Sequence, residues 1–240
     1  MTSPGKAASR SPFARHTPGA IVFDLDGTLL DTRGDIAAAL NSALVAGGFA
    51  PLSTDQITRY VGDGARTLCA KAAGLAESDA AVDQLIARFV AYTLEHPIEH
   101  TKWMPGAQRV LDAVVPMPIA ICTNKTRVAT EAILAALGIR TRFAGLVAGD
   151  DLPEKKPAPG PIFACARALR VEPESLVVVG DGDQDVLAGR RAGARTIAVA
   201  GGFCPRERLV ASHPDILVES LAELPAILQR WTEATARWSP

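Results

Sequence analysis

The sequence predicts an α/β protein: a doubly wound parallel sheet core with a helical cap domain inserted after the first strand. Three observations carry this. Short apolar runs rich in β-branched residues recur at 20–23, 118–122, 146–148, 176–179, 196–199 and 216–218, mostly separated by helical segments. That alternation builds a parallel sheet with helices on both faces. Four of these runs lead into acids, hydroxyls or lysines, and the carboxyl ends of parallel strands are where open α/β sheets place their ligands. Between the first run and the second lies a block at 33–102 that is helical in pattern and holds no convincing strand. The expected organisation is a tail at 1–18, a core of 19–32 plus 103–240, and a cap at 33–102.

The tail is rich in Ser, Pro, Ala and Gly, with Lys6, Arg10 and Arg15 and no acid. It lacks the apolar centre of a secretory signal and reads as disordered. The first strand, Ala20-Ile21-Val22-Phe23, meets Asp24 and Asp26 where it ends. An unpaired buried carboxylate costs several kcal/mol, so two of them imply a site shared with a cation or cationic side chains.

In the cap block, Ile36, Leu40 and Leu44 mark a helix over 35–47 that Gly47-Gly48 stops. Ser53-Thr54-Asp55 caps a short helix to Tyr60. The glycine-rich turn Val61-Gly62-Asp63-Gly64-Ala65-Arg66 opens a helix over 67–73. Ser78 caps a longer one running to His96, and Pro97 ends it. In the core, Pro105-Gly106 opens a helix to Val115, and Gly138 closes another carrying Val128, Ile133, Leu134 and Leu137. Further helices are expected over 161–169, up to Ala192, and from Ser220 to about Trp231.

The formal net charge of -1 gives no global reason to bind nucleic acid or an anionic membrane. No apolar run approaches the ~18 residues of a membrane span. Cys69, Cys122, Cys165 and Cys204 are scattered without metal-ligand spacing, which fits a reducing cytoplasmic compartment. His16, His96, His100 and His213 have no partner at ligand spacing either.

The polar residues after four strands form one constellation. Asp24 and Asp26 follow the first, Thr123 and Asn124 the second, Lys155 and Lys156 the third, and Asp181, Asp183 and Asp185 the fourth. Asp24-Leu25-Asp26-Gly27-Thr28-Leu29 resembles the first motif, DxDGT, of the haloacid dehalogenase-like superfamily of phosphotransferases. Thr123, Lys156-Pro157 and the acidic loop Gly180-Asp181-Gly182-Asp183-Gln184-Asp185 are similar to its other three motifs, in order; Gly182 stands where the family often has Ser or Thr.

The resemblance implies that Asp24 is the nucleophile of an aspartyl-phosphate mechanism and Asp26 the general acid and base. It implies Mg²⁺ held by the Asp24 carboxylate, the Asp26 backbone carbonyl and the Asp181 carboxylate, with Asp185 supporting that shell. Thr123 would hydrogen-bond the phosphoryl group, and Lys156 would add a cation beside it. Asp183 is an exposed loop or capping residue in this reading, and Lys155 a solvated neighbour.

A helical insert after the first motif resembles the helical-cap subgroup of that superfamily. The cap turn at 61–66, Cys122-Thr123-Asn124-Lys125 and the run from Gly149 to Pro157 look most like bacterial phosphoglycolate phosphatases. The expected substrate is therefore a small phosphate ester, 2-phosphoglycolate first. A hexose- or muramic-type sugar phosphatase and a phosphoglucomutase-type isomerase stay open, as does a monomer or a homodimer. Asn124, Gly64 and Arg66 are the expected substrate-binding residues. Arg66 would fork the substrate carboxylate with two hydrogen bonds or pair with a cap acid such as Asp63.

Overall fold

The computed structural model describes residues 18–236, so the tail expected at 1–18 lies, but for Pro18, outside the described residues. The chain runs through β1 (Ala20–Phe23), β2 (Leu30–Asp31), α1 (Arg33–Ala46), α2 (Thr54–Thr58), α3 (Ala65–Ala73), α4 (Ala80–Glu95) and β3 (Lys102–Trp103). It continues through α5 (Ala107–Ala113), β4 (Ile119–Cys122), α6 (Arg127–Ala136), β5 (Gly145–Val147), α7 (Gly160–Leu169), β6 (Leu176–Gly180) and α8 (Asp183–Arg191). β7 (Arg195–Val199), α9 (Arg206–Ala211), β8 (Ile216–Val218) and α10 (Leu224–Ala236) follow.

Six strands form one parallel sheet in the order β5-β4-β1-β6-β7-β8. β1 lies inside the sheet, where Ile21 stands opposite Ile119 of β4 and Val177 of β6. Its four residues are all buried, as expected for a strand covered on both faces.

Side chains alternate along each strand. Ile21, Phe23, Ile121, Val177 and Val179 face one way and pack with Leu111 of α5, Ile133 of α6 and Trp231 of α10. Val22, Cys122 and Val178 face the other way, against Ile162 and Cys165 of α7 and Ala188 of α8.

The helices between β2 and β3 build a separate core. Leu40 and Leu44 of α1, Ile57 of α2, Cys69 of α3, and Leu85 and Phe89 of α4 meet there. The chain leaves the main core through β2 and returns through β3, which pair antiparallel as Leu30 with Trp103 and Asp31 with Lys102. The sequence reading placed no strand there, because two residues carry no period. Behind this ribbon, Asp35 of α1 accepts hydrogen bonds from the His100 and Thr101 N–H groups, each at 2.8 Å, and from the Thr101 hydroxyl at 2.6 Å.

Helix ends shift by a residue or two. α4 is capped by Asp79, whose carboxylate accepts from the Ala81 N–H at 2.8 Å, rather than by Ser78. Ser220 caps a 3₁₀ turn over Leu221–Glu223 that leads into α10. α9, too short to announce itself by period, was not anticipated.

Candidate active site

β1 delivers Asp24 to the carboxyl edge of the sheet, and the Asp24 N–H still bonds the Val179 carbonyl of β6 at 2.9 Å. The side chain is buried and meets the Lys156 ammonium at 2.8 Å. Lys156 comes from the loop after β5. It is 3% exposed and also donates to Asp185 at 2.5 Å and to the Cys122 carbonyl at 2.6 Å. Three acceptors for three ammonium protons satisfy the group completely.

After Asp24 the chain turns sharply, and the Leu25 carbonyl accepts from the N–H groups of Leu29 and Leu30. Gly27 has φ +86°, and a Cβ there would stand 2.3 Å from Asp181 Oδ2. Backbone conformation and the approach of Asp181 both demand glycine. Thr28 then donates its hydroxyl to Asp181 Oδ1 at 2.7 Å and accepts from the Asp181 N–H at 2.9 Å. That pair of hydrogen bonds ties the loop after β1 to the loop after β6. The Phe203 N–H donates to the other Asp181 oxygen at 2.7 Å.

Asp26 points elsewhere. Its carboxylate accepts from the Thr32 hydroxyl at 2.6 Å and pairs with Lys125 Nζ at 3.0 Å. Two partners on two oxygens fix its orientation at the cavity wall. Lys125, not singled out in the sequence, is the side chain after Thr123 and Asn124 in the same loop, and nothing local marks it as the partner of Asp26.

The carboxylate oxygens of Asp24, Asp181 and Asp185 lie within 4.8 Å of one another. Burial pushes the Asp181 carboxyl up to about 8, with the Asp24 and Asp185 charges adding to the effect. Burial likewise raises Asp185 to about 7, despite its bond to Lys156. Burial works against the Lys156 ammonium, but Asp185 and Asp24 outweigh it and hold the group well above the ordinary lysine range. Three carboxylates thus face one ammonium. A divalent cation would balance the remaining charge, and an all-oxygen donor set suits a hard metal ion. The residues present fit such an ion.

The remaining sequence-predicted residues fall into two groups. Thr123 is buried at the end of β4 and lines the cavity. Asn124 and Gly64 line it as well. Lys155 lies at the cap: a Cβ on Gly64 would be 3.0 Å from its ammonium. Asp183 opens α8 and pairs through both oxygens with Arg208, at 2.6 and 2.8 Å.

Arg66 is placed apart from the others. Its guanidinium bonds Asp83 and the Glu77 carbonyl, both of the helical insert, and it does not line the cavity. Asp63, the acid named as its partner, pairs instead with Lys71 at 3.0 Å. The helical twist explains this, since Arg66 on the first turn of α3 points toward α4 while Lys71 falls on the face toward Asp63.

The cavity has a volume of about 270 Å³ and is lined by both parts of the molecule. The core contributes Asp24, Asp26, Lys156 and Asp181, and the insert contributes Arg59, Gly62, Leu68, Lys71 and Phe89. Arg59 makes no ion pair among the described residues.

A family model described as haloacid dehalogenase-like hydrolase matches residues 21–199, from β1 through β7 and so across every strand end that builds the site. A phosphoglycolate phosphatase of Chromobacterium violaceum is 37% identical over 211 residues, covering 85% of this chain and 94% of that protein. One from Agrobacterium fabrum is 34% identical, covering 87% of this chain and 92% of its own length. The crystal structure of a predicted phosphoglycolate phosphatase from Haemophilus somnus superposes with a TM-score of 0.79 at 27% identity, covering 87% of this chain and 97% of that one. CbbY from Rhodobacter sphaeroides, solved in complex with phosphate, gives a TM-score of 0.75 at 25% identity, with 87% and 96% covered. The motifs, the sheet edge and these relatives agree: the chain belongs to the haloacid dehalogenase-like hydrolase family, as a phosphoric monoester hydrolase.

Proposed function

We propose that the enzyme hydrolyses 2-phosphoglycolate to glycolate and phosphate, with Mg²⁺, through an aspartyl-phosphate on Asp24. The observation that carries the mechanism is the pair of carboxylates on either side of Leu25, set in opposite environments. Asp24 is clamped by Lys156 at the buried end of β1, whereas Asp26 stands at the cavity wall between Thr32 and Lys125.

In this reading an Asp24 oxygen attacks phosphorus as the ester P–O bond breaks. Asp26 gives its proton to the departing glycolate oxygen. It then takes a proton from the water that attacks phosphorus and frees Asp24. Lys156 orients the nucleophile and offsets phosphoryl charge, and Thr123 donates a hydrogen bond to a phosphoryl oxygen. Mg²⁺ would be held by the carboxylates of Asp24 and Asp181 and the backbone carbonyl of Asp26, with Asp185 beside them, and would neutralise phosphoryl oxygens. Residues 33–102 act as a cap that excludes water when it closes over the site.

The substrate assignment draws on the names of the relatives and on the cationic side chains of the cap wall. The cavity also has room for a larger alcohol than glycolate, which favours a sugar phosphate as the second reading. Initial rates over a panel of small acid phosphates and hexose phosphates, with Mg²⁺, separate the two. The expected result is the highest kcat/KM for 2-phosphoglycolate. Preference for a hexose phosphate overturns the substrate, and full turnover by Asp24→Asn overturns the mechanism.

A further inference from the structure

Asn124 is buried at the junction of core and insert, 7% exposed, and its side chain makes three hydrogen bonds. The amide nitrogen donates to the Gly62 carbonyl of the insert at 2.8 Å and to the Lys156 carbonyl at 2.9 Å. The amide oxygen accepts from the Lys156 N–H at 3.1 Å. Two carbonyls on one side and an N–H on the other leave a single orientation for the amide. Among the described residues no other side chain joins the insert backbone to the peptide unit of the lysine that grips Asp24.

The surroundings make the contact close and unforgiving. A Cβ at Gly64 would stand 3.1 Å from the Asn124 carbonyl oxygen, and one at Gly149 2.2 Å from it. A Cβ at Gly62 would meet the Gln184 amide at 3.2 Å. Gly62 has φ +126° and Gly64 φ +92°, so at these two positions the insert presents bare backbone to the core. The Gln184 amide of α8 stands beside the same loop, and among the described residues it makes no hydrogen bond to the loop of Lys156.

We propose that Asn124 is a positioning residue that couples the seating of the insert loop at Gly62 to the placement of Lys156. When the loop withdraws, the amide loses one of its two carbonyl partners, and the bond to the Lys156 carbonyl no longer has a fixed geometry. The nucleophile clamp is then complete only when the cavity is closed, which restricts phosphoryl transfer to an enclosed substrate. This rests on the proposed action of Lys156, and the measurement below reads the coupling without depending on it.

The test is hydrogen exchange on the full chain with Mg²⁺ and orthovanadate, alongside kinetics with 2-phosphoglycolate. Asn124→Ala and Asn124→Asp are compared with Gln184→Ala. Asn124→Asp keeps shape and the acceptor for the Lys156 N–H but cannot donate to Gly62. Both Asn124 variants should speed amide exchange at 61–65 and at 155–158 together by at least tenfold. The central strands should stay protected, and kcat should fall at least tenfold. Gln184→Ala should loosen 61–65 alone. Wild-type exchange at 61–65 in the Asn124 variants overturns the proposal. So does loss of protection throughout the sheet in both, which would make Asn124 a general structural residue. Failure of the Lys156 reading would appear separately, as retained turnover in Lys156→Met.

Discussion

Lys156 is the side chain on which the buried charges converge. It gives its three protons to Asp24, Asp185 and the Cys122 carbonyl. Removing one partner of a buried ion pair costs about 3–5 kcal/mol, because the remaining charge is left uncompensated. Lys156→Met should therefore lower both stability and turnover. We expect a fall in kcat/KM of at least about a thousandfold and a clear drop in Tm in metal-free buffer, smaller with Mg²⁺ present. A variant with wild-type Tm in EDTA would contradict the charge balance described above. The cap arginines make a second contrast. Arg66 is engaged within the insert, whereas Arg59 lines the cavity without an acidic partner among the described residues. Arg59→Ala should raise KM for 2-phosphoglycolate roughly tenfold, about 1.4 kcal/mol, and leave an uncharged aryl phosphate nearly unaffected. Arg66→Ala should change Tm more than selectivity. The reverse pattern would return substrate recognition to Arg66. Such distinctions were not legible in the sequence. Asp24, Lys156 and Asp181 could be found because each stands just past a strand or before a proline. Which cap cation faces the cavity depends on helix rotation and on acids far along the chain.

The two-residue strands β2 and β3 carry the insert. Asp35 holds the two residues that lead into the second of them by accepting three hydrogen bonds from His100 and Thr101. Bonds to a charged acceptor contribute about 1.5–3 kcal/mol each in favourable cases. Asp35→Ala should thus loosen the insert without touching the Asp24 cluster. Its kcat and KM for 2-phosphoglycolate should both change, while affinity for Mg²⁺ should hold. Calorimetry with Mg²⁺ checks the second half, and weakened metal binding would place the effect in the core. The long elements were visible in advance for plain reasons. β1, β4 and β6 are buried on both faces and so read as unbroken apolar runs, and α1 and α6 repeat Leu and Ile every three or four residues. The ribbon was invisible because its pairing joins Leu30 to Trp103 across the whole insert.

Charge ties the active edge to the stability of the entire molecule. Without metal, Asp181 and Asp185 keep protons up to about pH 8 and about pH 7, whereas an unfolded carboxyl releases its proton near pH 4. The native state then binds more protons than the unfolded state across that interval, so metal-free stability falls as pH rises from about 4 to about 8. A divalent cation replaces those protons. Mg²⁺ should accordingly raise Tm more at about pH 8 than at about pH 5.5, and chelation should abolish activity at both. Equal shifts at the two values would show that the acids do not exchange protons for metal. The β2–β3 ribbon has a different consequence. Because Leu30 stands opposite Trp103 and Asp31 opposite Lys102, the ends of the insert are about 5 Å apart, one strand spacing. To the six-stranded sheet, everything between those strands is equivalent to the loop of a hairpin. Another segment whose ends meet at that spacing could be exchanged there without re-registering any strand of the sheet. Such an exchange would keep the Asp24 edge of the sheet and replace the part of the cavity wall that Arg59, Lys71 and Phe89 supply, provided the new segment offers Asn124 a carbonyl where Gly62 now stands.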